Sequence, residues 1–291
     1  MKPAGEALRL AQGRLAALAW GRTEAPVWLA LHGWLDNAAS FARLAPVLAE
    51  RLDIRLVAID MAGHGHSDHR PAGVNYHFVD MLYEVVELLD YLGWDRCSLL
   101  GHSMGAGVAT CVAGLLGHRI QNVLLIEGLG PMTQPPERLT ELMRDSFRQW
   151  RSLPGKISPV YATMDEAVEA RHIVGEMEIA SVKTLVGRGL VQKNNIYKWR
   201  SDPRLRVKSR VYLTEDQILF FIREITAPVL VIEARDTKIQ RWRDFLRSRL
   251  PEVRTLKHLV LPGGHHLHLD DPLPVAEAIR DFVQNPPASH E

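Results

Sequence analysis

Short apolar runs recur along the chain and alternate with segments of helical period. We predict strands over eight of these runs, at residues 7–10, 15–19, 27–31, 54–59, 98–100, 123–126, 229–232 and 258–261. Helical patterns cover residues 40–50, 78–92, 104–116, 241–250 and 273–284. From residue 27 onward most of the strand runs are continuous, which is typical of parallel strands buried on both faces. The pattern therefore predicts an α/β fold with a mostly parallel, doubly wound sheet.

Residues 131–225 interrupt this alternation. Their periodicity is mostly helical, they contain no strong strand run, and the strand pattern returns only at Val229. We therefore expect a helical cap inserted over the carboxyl edge of the sheet, with residues 1–130 and 226–291 forming the core domain. The last cap helix is expected to begin with a capping box, in which Thr214 and Gln217 exchange hydrogen bonds.

The pentapeptide Gly101-His102-Ser103-Met104-Gly105 stands where a strand pattern changes to a helix pattern. In that context Gly-x-Ser-x-Gly indicates a nucleophile elbow, a sharp turn that holds the serine hydroxyl clear of the sheet. The glycines suit such a turn because it crowds the neighbouring backbone. Ser103 is the candidate nucleophile, and it requires a nearby base and a third group that orients the base.

The candidate base is His265, which follows the last predicted strand and a turn containing Pro262 and two glycines. His266 is the alternative if the register is shifted by one residue, and His268 fits better as a packing or pocket-wall residue. We expect no metal site here, because three clustered histidines do not by themselves supply the closed geometry and outer partners that Zn²⁺ requires.

Two acids follow predicted strands and could orient the histidine. Asp236 follows the run at 229–232, and Glu127 directly follows the run at 123–126. Either carboxylate could accept the Nδ1 proton of the histidine and stabilise the imidazolium. We prefer Asp236 because its loop belongs to the strand next in order to that of the histidine, and we keep Glu127 as the alternative. Glu233 is a weaker third candidate.

Two backbone N–H groups are expected to bind the oxyanion of a tetrahedral intermediate. One belongs to Met104, at a helix N-terminus, and the other to Trp34, in the loop after an early strand. The Trp34 ring can also form part of the substrate pocket. The other candidate substrate-binding residues are His102 and two cap tryptophans, Trp150 and Trp199, because apolar side chains form most of the wall of ligand pockets.

Five spaced motifs resemble those of the α/β-hydrolase superfamily. They are residues 32–37 (His-Gly-Trp-Leu-Asp-Asn), residues 60–68, the elbow, Asp236, and Gly264-His265 with Pro272. They span nearly the whole chain, and residues 32–41 are similar to the serine hydrolase-like proteins. The resemblance implies a capped hydrolase that uses no metal and no organic cofactor. Dehalogenases and epoxide hydrolases of this fold carry Asp at the elbow, so Ser103 disfavours their alkyl-enzyme route.

The bulk composition adds little to this picture. The 291 residues carry a formal net charge of +1, which gives no reason to expect a nucleic-acid partner or membrane insertion. No signal-peptide segment is evident, and two cysteines suit a reducing compartment, so we expect a cytoplasmic protein. Segment 188–210 is distinctive: it holds eight basic residues against Asp202 alone, and it is either a solvated face or a site for an anionic substrate such as an acyl-CoA.

The expected activity is hydrolysis of a small-molecule carboxylic ester through an acyl-enzyme on Ser103. The alternatives are hydrolysis of a thioester or of a carbon–carbon bond on the same fold, or a binding protein that has lost catalysis. The sequence predicts neither the acyl length nor whether the protein is a monomer or a homodimer.

Overall fold

The main sheet contains all eight strands that the apolar runs predict. It is seen in a computed structural model that describes residues 5–153, 159–238 and 240–287. The strands are β1 (Glu6–Leu10), β2 (Leu15–Trp20), β3 (Val27–Leu31), β4 (Arg55–Ile59), β5 (Cys97–His102), β6 (Ile120–Ile126), β10 (Val229–Ala234) and β11 (Leu256–Leu261). Their order in the sheet is β1-β2-β4-β3-β5-β6-β10-β11. The segment between β6 and β10 holds three further short strands.

In the main sheet β4, β3, β5, β6, β10 and β11 run parallel to one another. β1 pairs antiparallel with β2, and β2 pairs antiparallel with β4. Parallel strands place their carboxyl ends at one edge of the sheet, so the loops after β3, β5, β6, β10 and β11 meet there. Every residue of β4 and β5 is buried, which explains why their apolar runs are continuous rather than alternating.

The described residues form ten α-helices, several of which cover the two faces of this sheet. They are α1 (Ala45–Leu52), α2 (Phe78–Tyr91), α3 (Met104–Leu116), α4 (Leu139–Ser152), α5 (Met164–Val174), α6 (Ile179–Gly189), α7 (Glu215–Arg223), α8 (Gln240–Arg249), α9 (Leu267–Asp270) and α10 (Pro272–Gln284). Apolar residues of α2, α3, α7 and α8 pack on one face, and those of α1 and α10 pack on the other. The predicted α/β fold class is confirmed. No helix within the described ranges is long and apolar enough to cross a membrane.

Residues 131–225, which we call the cap segment, differ in part from expectation. They contain α4 to α7 but also a small antiparallel sheet of β7 (Val160–Tyr161), β8 (Leu190–Lys193) and β9 (Ile196–Trp199). Each of these strands has only two to four residues, most of them partly exposed. The sequence therefore shows no apolar run from which they could be predicted. The capping box at Thr214 is confirmed. The division into a cap and a core of residues 1–130 and 226–291 stays a prediction.

The turn between β5 and α3 depends on its glycines. Ser103 adopts φ 53° and ψ −114°, a conformation that residues with a Cβ rarely adopt. A Cβ on Gly105 would lie 2.0 Å from the carbonyl oxygen of Leu31, and one on Gly101 would lie 2.5 Å from the carbonyl oxygen of Gly105. Helix α3 can therefore approach β3 closely only where these side chains are absent.

We expect Gly105→Ala to lower the free energy of unfolding by about 3 kcal/mol or more, because backbone atoms would have to move to admit the methyl group. The matched control is Gly187→Ala at an exposed position of α6, where an added Cβ meets nothing within 4 Å. That change should be neutral or stabilise by about 0.5–1 kcal/mol. Urea unfolding of both variants measures the difference, and equal stabilities would contradict the close approach of α3 and β3.

Candidate active site

Ser103 lies at the tip of the sharp turn between β5 and α3. Its backbone N–H donates to the carbonyl oxygen of Ile126, at the end of the neighbouring strand β6, over 2.9 Å. This bond ties the turn to the edge of the sheet. The side chain is 9% exposed and opens into a cavity, as the elbow motif predicts.

His265 follows β11 and faces the serine. Its Nε2 lies 3.0 Å from the hydroxyl oxygen of Ser103, and its Nδ1 lies 2.9 Å from Oε2 of Glu127. An ionised carboxylate can only accept hydrogen bonds, so Nδ1 carries the proton and Nε2 is left to accept the serine hydroxyl. The three side chains therefore form one hydrogen-bonded chain in the order that serine catalysis requires.

Glu127 is the first residue after β6, and its conformation turns its carboxylate towards the histidine. It adopts φ 55°, in the left-handed region, and its backbone N–H donates to the carbonyl oxygen of Ile232 over 2.8 Å. The backbone N–H of Ala234 donates to Oε1 over 2.6 Å, which leaves Oε2 for His265. The side chain is buried, so both carboxylate oxygens are held by protein donors.

The expected contact between Asp236 and His265 is not formed, and the preference for Asp236 over Glu127 is corrected. Asp236 is exposed, and its Oδ2 accepts from the backbone N–H of Gly263 over 3.0 Å, so it braces the loop that carries the histidine. The loops after β10 and β11 are indeed neighbours. Glu127 reaches the histidine instead because β6 lies beside β5, the strand of the serine. Glu233 is buried, forms ion pairs with Arg243 and Arg247, and lies within hydrogen-bond distance of His258.

The two expected oxyanion donors lie in the wall of the same cavity as Ser103. Met104 is the first residue of α3, so its N–H has no partner inside the helix and the helix dipole favours an anion there. Trp34 lies in the loop after β3, and its indole Nε1–H donates to the carbonyl oxygen of Leu205 over 3.1 Å. This bond fixes the indole against the cap segment, and the backbone of the loop with it.

The other two histidines of this loop, His266 and His268, form hydrogen bonds with residues other than Ser103. His266 Nε2–H donates to Oδ2 of Asp36 over 3.0 Å, and the Arg171 guanidinium donates to Oδ1 over 3.2 Å. Burial alone would raise the pKa of Asp36, but the interactions with His266 and with the Arg171 guanidinium hold it well below its usual range. Asp36 is therefore a carboxylate at neutral pH. His268, a packing residue as expected, pairs with the Ser40 hydroxyl over 2.9 Å.

His102 supports the backbone of the loop that carries His265. Its ring is fully buried, and its Nε2 lies 2.9 Å from the carbonyl oxygen of His265, so Nε2–H donates to that backbone. Burial, together with the neighbouring histidines, lowers the pKa of His102 well below its usual value. The ring is therefore neutral near pH 7, and it holds the His265 backbone without adding a charge.

One group of side chains in the described residues has ligand atoms close enough to hold a metal ion. Asp36, His102 and His266 place their ligand atoms within 4.8 Å of one another. The fit is poor, because Arg171 already pairs with the carboxylate and would repel a dication. The separation of 4.0 Å between His102 Nδ1 and Asp36 Oδ2 also exceeds the roughly 3.4 Å between two ligands of a tetrahedral Zn²⁺ ion.

Ser103 and His265 open into a cavity of about 590 Å³, which we call the reaction cavity. Of the expected substrate-binding residues, Trp34, His102 and Trp199 line it. Its wall also contains Arg171 and Trp242, for which the sequence offered no signal, and Arg206, which belongs to the basic segment 188–210. They lie far from any motif and are brought to the cavity only by the folding of the cap segment and α8.

A second cavity of about 350 Å³ adjoins the reaction cavity and is almost wholly apolar; we call it the apolar cavity. The two share Trp34, Met104 and Trp242 as walls, and the remainder includes Phe78, Val79, Pro131, Met132, Val211 and Leu213. Trp150 lines neither cavity, contrary to expectation. Its ring packs under the Arg210 guanidinium, 5.0 Å from the ring centre, so it serves the packing of the cap segment.

The two cysteines are not candidate nucleophiles. Both are buried and unpaired. Burial raises the pKa of Cys97 to about 11 and that of Cys111 to about 12. Neither thiol therefore forms a thiolate near neutral pH, and Ser103 keeps the role of nucleophile candidate.

Comparison with known proteins gives consistent results. A family model for the alpha/beta hydrolase fold matches residues 26–272. A serine hydrolase-like protein of Dictyostelium discoideum is 31% identical over 286 residues, which cover 92% of this chain and 78% of that protein. An sn-1-specific diacylglycerol lipase of Danio rerio is 23% identical over 271 residues, covering 91% of this chain and 80% of the lipase.

A solved structure shows the same architecture. The crystal structure of a hypothetical protein from Pseudomonas aeruginosa PAO1 superimposes with a TM-score of 0.88 at 39% sequence identity. The match covers 96% of this chain and 100% of that one. The architecture thus recurs along the whole length of a second protein.

We expect Glu127→Gln to lower kcat/KM for a p-nitrophenyl ester by about three to four orders of magnitude, because an amide favours the wrong histidine tautomer. The matched control is Asp236→Asn, which keeps an acceptor for the Gly263 N–H. It should change kcat/KM by less than about threefold. Steady-state kinetics of the two variants decide between the acids, and the reverse ranking would contradict the assignment of Glu127.

Proposed function

The chain belongs to the α/β-hydrolase family, in its serine hydrolase-like branch, and on that premise we propose that it hydrolyses carboxylic esters through an acyl-enzyme on Ser103. One observation carries the proposal: the hydrogen-bonded chain in which Glu127 holds His265 and His265 faces the serine hydroxyl, over 2.9 and 3.0 Å. In this proposal Ser103 is the nucleophile, His265 the base and Glu127 the group that orients it.

In the first half-reaction, His265 Nε2 takes the Ser103 hydroxyl proton as Oγ attacks the carbonyl carbon of the ester. The carbonyl oxygen becomes an oxyanion and accepts from the backbone N–H groups of Trp34 and Met104. Each donor of this kind contributes about 3 kcal/mol to stabilising the transition state. Collapse of the intermediate breaks the bond to the leaving group, which receives the proton from His265.

In the second half-reaction, water replaces the leaving group. His265 takes a proton from the water, the resulting hydroxide attacks the acyl carbon, and Ser103 recovers its proton as the acid product leaves. Glu127 accepts from Nδ1–H throughout and stabilises the imidazolium that forms in each step. Its Oε2 lies 2.9 Å from Nδ1, close enough to stabilise that charge.

The apolar cavity suits the acyl part of the substrate. It begins at Met104, directly beside the nucleophile, and it is lined by apolar side chains of the core and of the cap segment. An aliphatic chain that leaves water for this cavity gains about 0.8 kcal/mol for each methylene buried. The diacylglycerol lipase relative is named for a substrate with such chains, which supports an apolar acyl group.

The same attack would cleave a thioester, because only the leaving atom differs. The hydrogen-bonded triad argues against the alternative of a binding protein without catalysis, since it has no use there. We retain the cap of residues 131–225 and the cytoplasmic location as proposals: the cap segment supplies part of the wall of both cavities, and the two buried free cysteines suit a reducing compartment.

A fluorophosphonate probe is expected to label the protein at Ser103, because such probes react with a serine that a neighbouring base activates. Ser103→Ala should abolish both labelling and hydrolysis of p-nitrophenyl esters, and should change the free energy of unfolding by less than about 1 kcal/mol. Peptide mapping of the adduct identifies the site.

The matched control for labelling is Ser248→Ala, which removes an exposed serine from α8 and should leave labelling unchanged. Full activity of the Ser103→Ala variant, or an adduct on another residue, would refute the proposed function.

A further inference from the structure

The basic residues of the cap segment differ sharply in what they contact. Most of the cations between residues 188 and 210 have partners within the fold. Arg188 pairs with buried Asp60, Arg204 pairs with Asp202, and Lys208 pairs with Asp145. Arg200 donates to the carbonyl oxygen of Leu190, and Arg210 lies over the Trp150 ring. These five cations stabilise the cap segment and its junction with the core.

Arg206 and Lys198 are different. Both are exposed, and neither side chain forms a hydrogen bond or ion pair with any residue in the described ranges. Arg206 lines the reaction cavity that contains Ser103. It also lines an adjoining cavity of about 500 Å³, which we call the outer groove, and Lys198 lies in the wall of that groove as well. Arg206 therefore borders both the cavity of the nucleophile and the groove that Lys198 lines, whereas Lys193, which is also exposed and unpaired within the described residues, lines neither.

The outer groove and the reaction cavity share Trp199, Ser201 and Arg206 as walls, so they adjoin each other. No Asp or Glu occurs among the described residues that line the outer groove. In the reaction cavity the two acidic residues are already paired, Asp36 with Arg171 and Glu176 with Lys238. The positive charge of Arg206 and Lys198 is therefore uncompensated by the protein.

The backbone that carries Arg206 is firmly held. Leu205 and Val207 on either side of it are buried, and the Leu205 carbonyl oxygen accepts from the Trp34 indole. Asp202 caps the short 3₁₀ turn by accepting from the backbone N–H of Arg204 over 2.9 Å. A guanidinium on so rigid a support is positioned for an anion at little further loss of backbone entropy.

We propose that Arg206, with Lys198, binds a phosphate or carboxylate group on the leaving part of the substrate. This inference rests on the proposed function. The apolar cavity and the outer groove extend from the reaction cavity past different walls, so an acyl chain in the first leaves the second for the leaving group. Guanidinium groups form charge-assisted hydrogen bonds with both kinds of anion. The substrate is then an acyl ester or thioester with an apolar acyl group and an anionic leaving group.

The test compares substrates that share an octanoyl group and differ in the leaving group. The phosphate arm sets octanoyl-CoA against the neutral octanoyl thioester of N-acetylcysteamine. The carboxylate arm sets 4-(octanoyloxy)benzoate against its neutral methyl ester. In each arm the quantity measured is the ratio of kcat/KM for the charged substrate to that for the neutral one, compared between wild type and variant so that intrinsic reactivity cancels.

Arg206→Gln is expected to lower this ratio about three- to fivefold in at least one arm, the range for an exposed ion pair, and Arg206→Gln with Lys198→Gln about tenfold. The loss should appear mainly as a higher KM for the charged substrate. Arg206→Lys should keep part of the wild-type ratio, and added salt should lower the wild-type ratio. The matched control is Lys193→Gln, an exposed lysine on β8 of the same small sheet that lines neither cavity.

The arm in which Arg206→Gln lowers the ratio shows whether the anion is a phosphate or a carboxylate. Ratios that Arg206→Gln leaves unchanged in both arms, or that Lys193→Gln lowers equally, would overturn the proposal. Fluorophosphonate labelling of Ser103 separates this failure from failure of the proposed function: a labelled, active enzyme without anion preference refutes the subsite alone, whereas an unlabelled, inactive protein refutes the hydrolase.

Discussion

The site depends on three strand ends that meet at one edge of a parallel sheet. Strands β5, β6 and β11 deliver Ser103, Glu127 and His265, and the hydrogen bonds that join these side chains form only because the strands stop at the same level. Two of the three residues adopt positive φ, which a residue with a Cβ accepts only where the surrounding structure compensates for the strain. The compensation comes from the sheet, because the backbone N–H of each strained residue donates to the end of the neighbouring strand.

The charged groups around these hydrogen bonds are arranged so that His265 pairs with one carboxylate, that of Glu127. Asp36 is held ionised by His266 and Arg171, so its charge is already compensated. His102 is kept neutral by burial and holds the His265 backbone. In the proposed mechanism, Glu127 is therefore the carboxylate that stabilises the imidazolium of His265. Arg206 and Lys198 lie further out, at the walls of the reaction cavity and the outer groove, where we propose that they bind the substrate.

Much of this arrangement could be predicted from the sequence. All eight core strands, the elbow, His265 and the walls formed by Trp34 and Trp199 follow from apolar runs and motifs that act locally. The choice between Asp236 and Glu127 could not be predicted, because each of them follows a strand. Only the sheet order, together with the φ of Glu127, brings one of the two carboxylates to the histidine. The small cap sheet and the position of Trp150 were missed for a related reason: short, half-exposed strands and side-chain packing leave no periodic signal. Arg171 carried no signal, and the basic segment 188–210 did not indicate which of its cations reaches the cavity, because only the folded cap segment brings Arg171 and Arg206 there.

A crystal structure of the fluorophosphonate adduct tests the central claim most directly. The account predicts a phosphorus–oxygen bond to Ser103, a phosphonyl oxygen within hydrogen-bond distance of the backbone N–H groups of Trp34 and Met104, and His265 still joined to Glu127 through Nδ1. A phosphonyl oxygen that points away from both N–H groups, or a histidine joined to Asp236 instead, would contradict it.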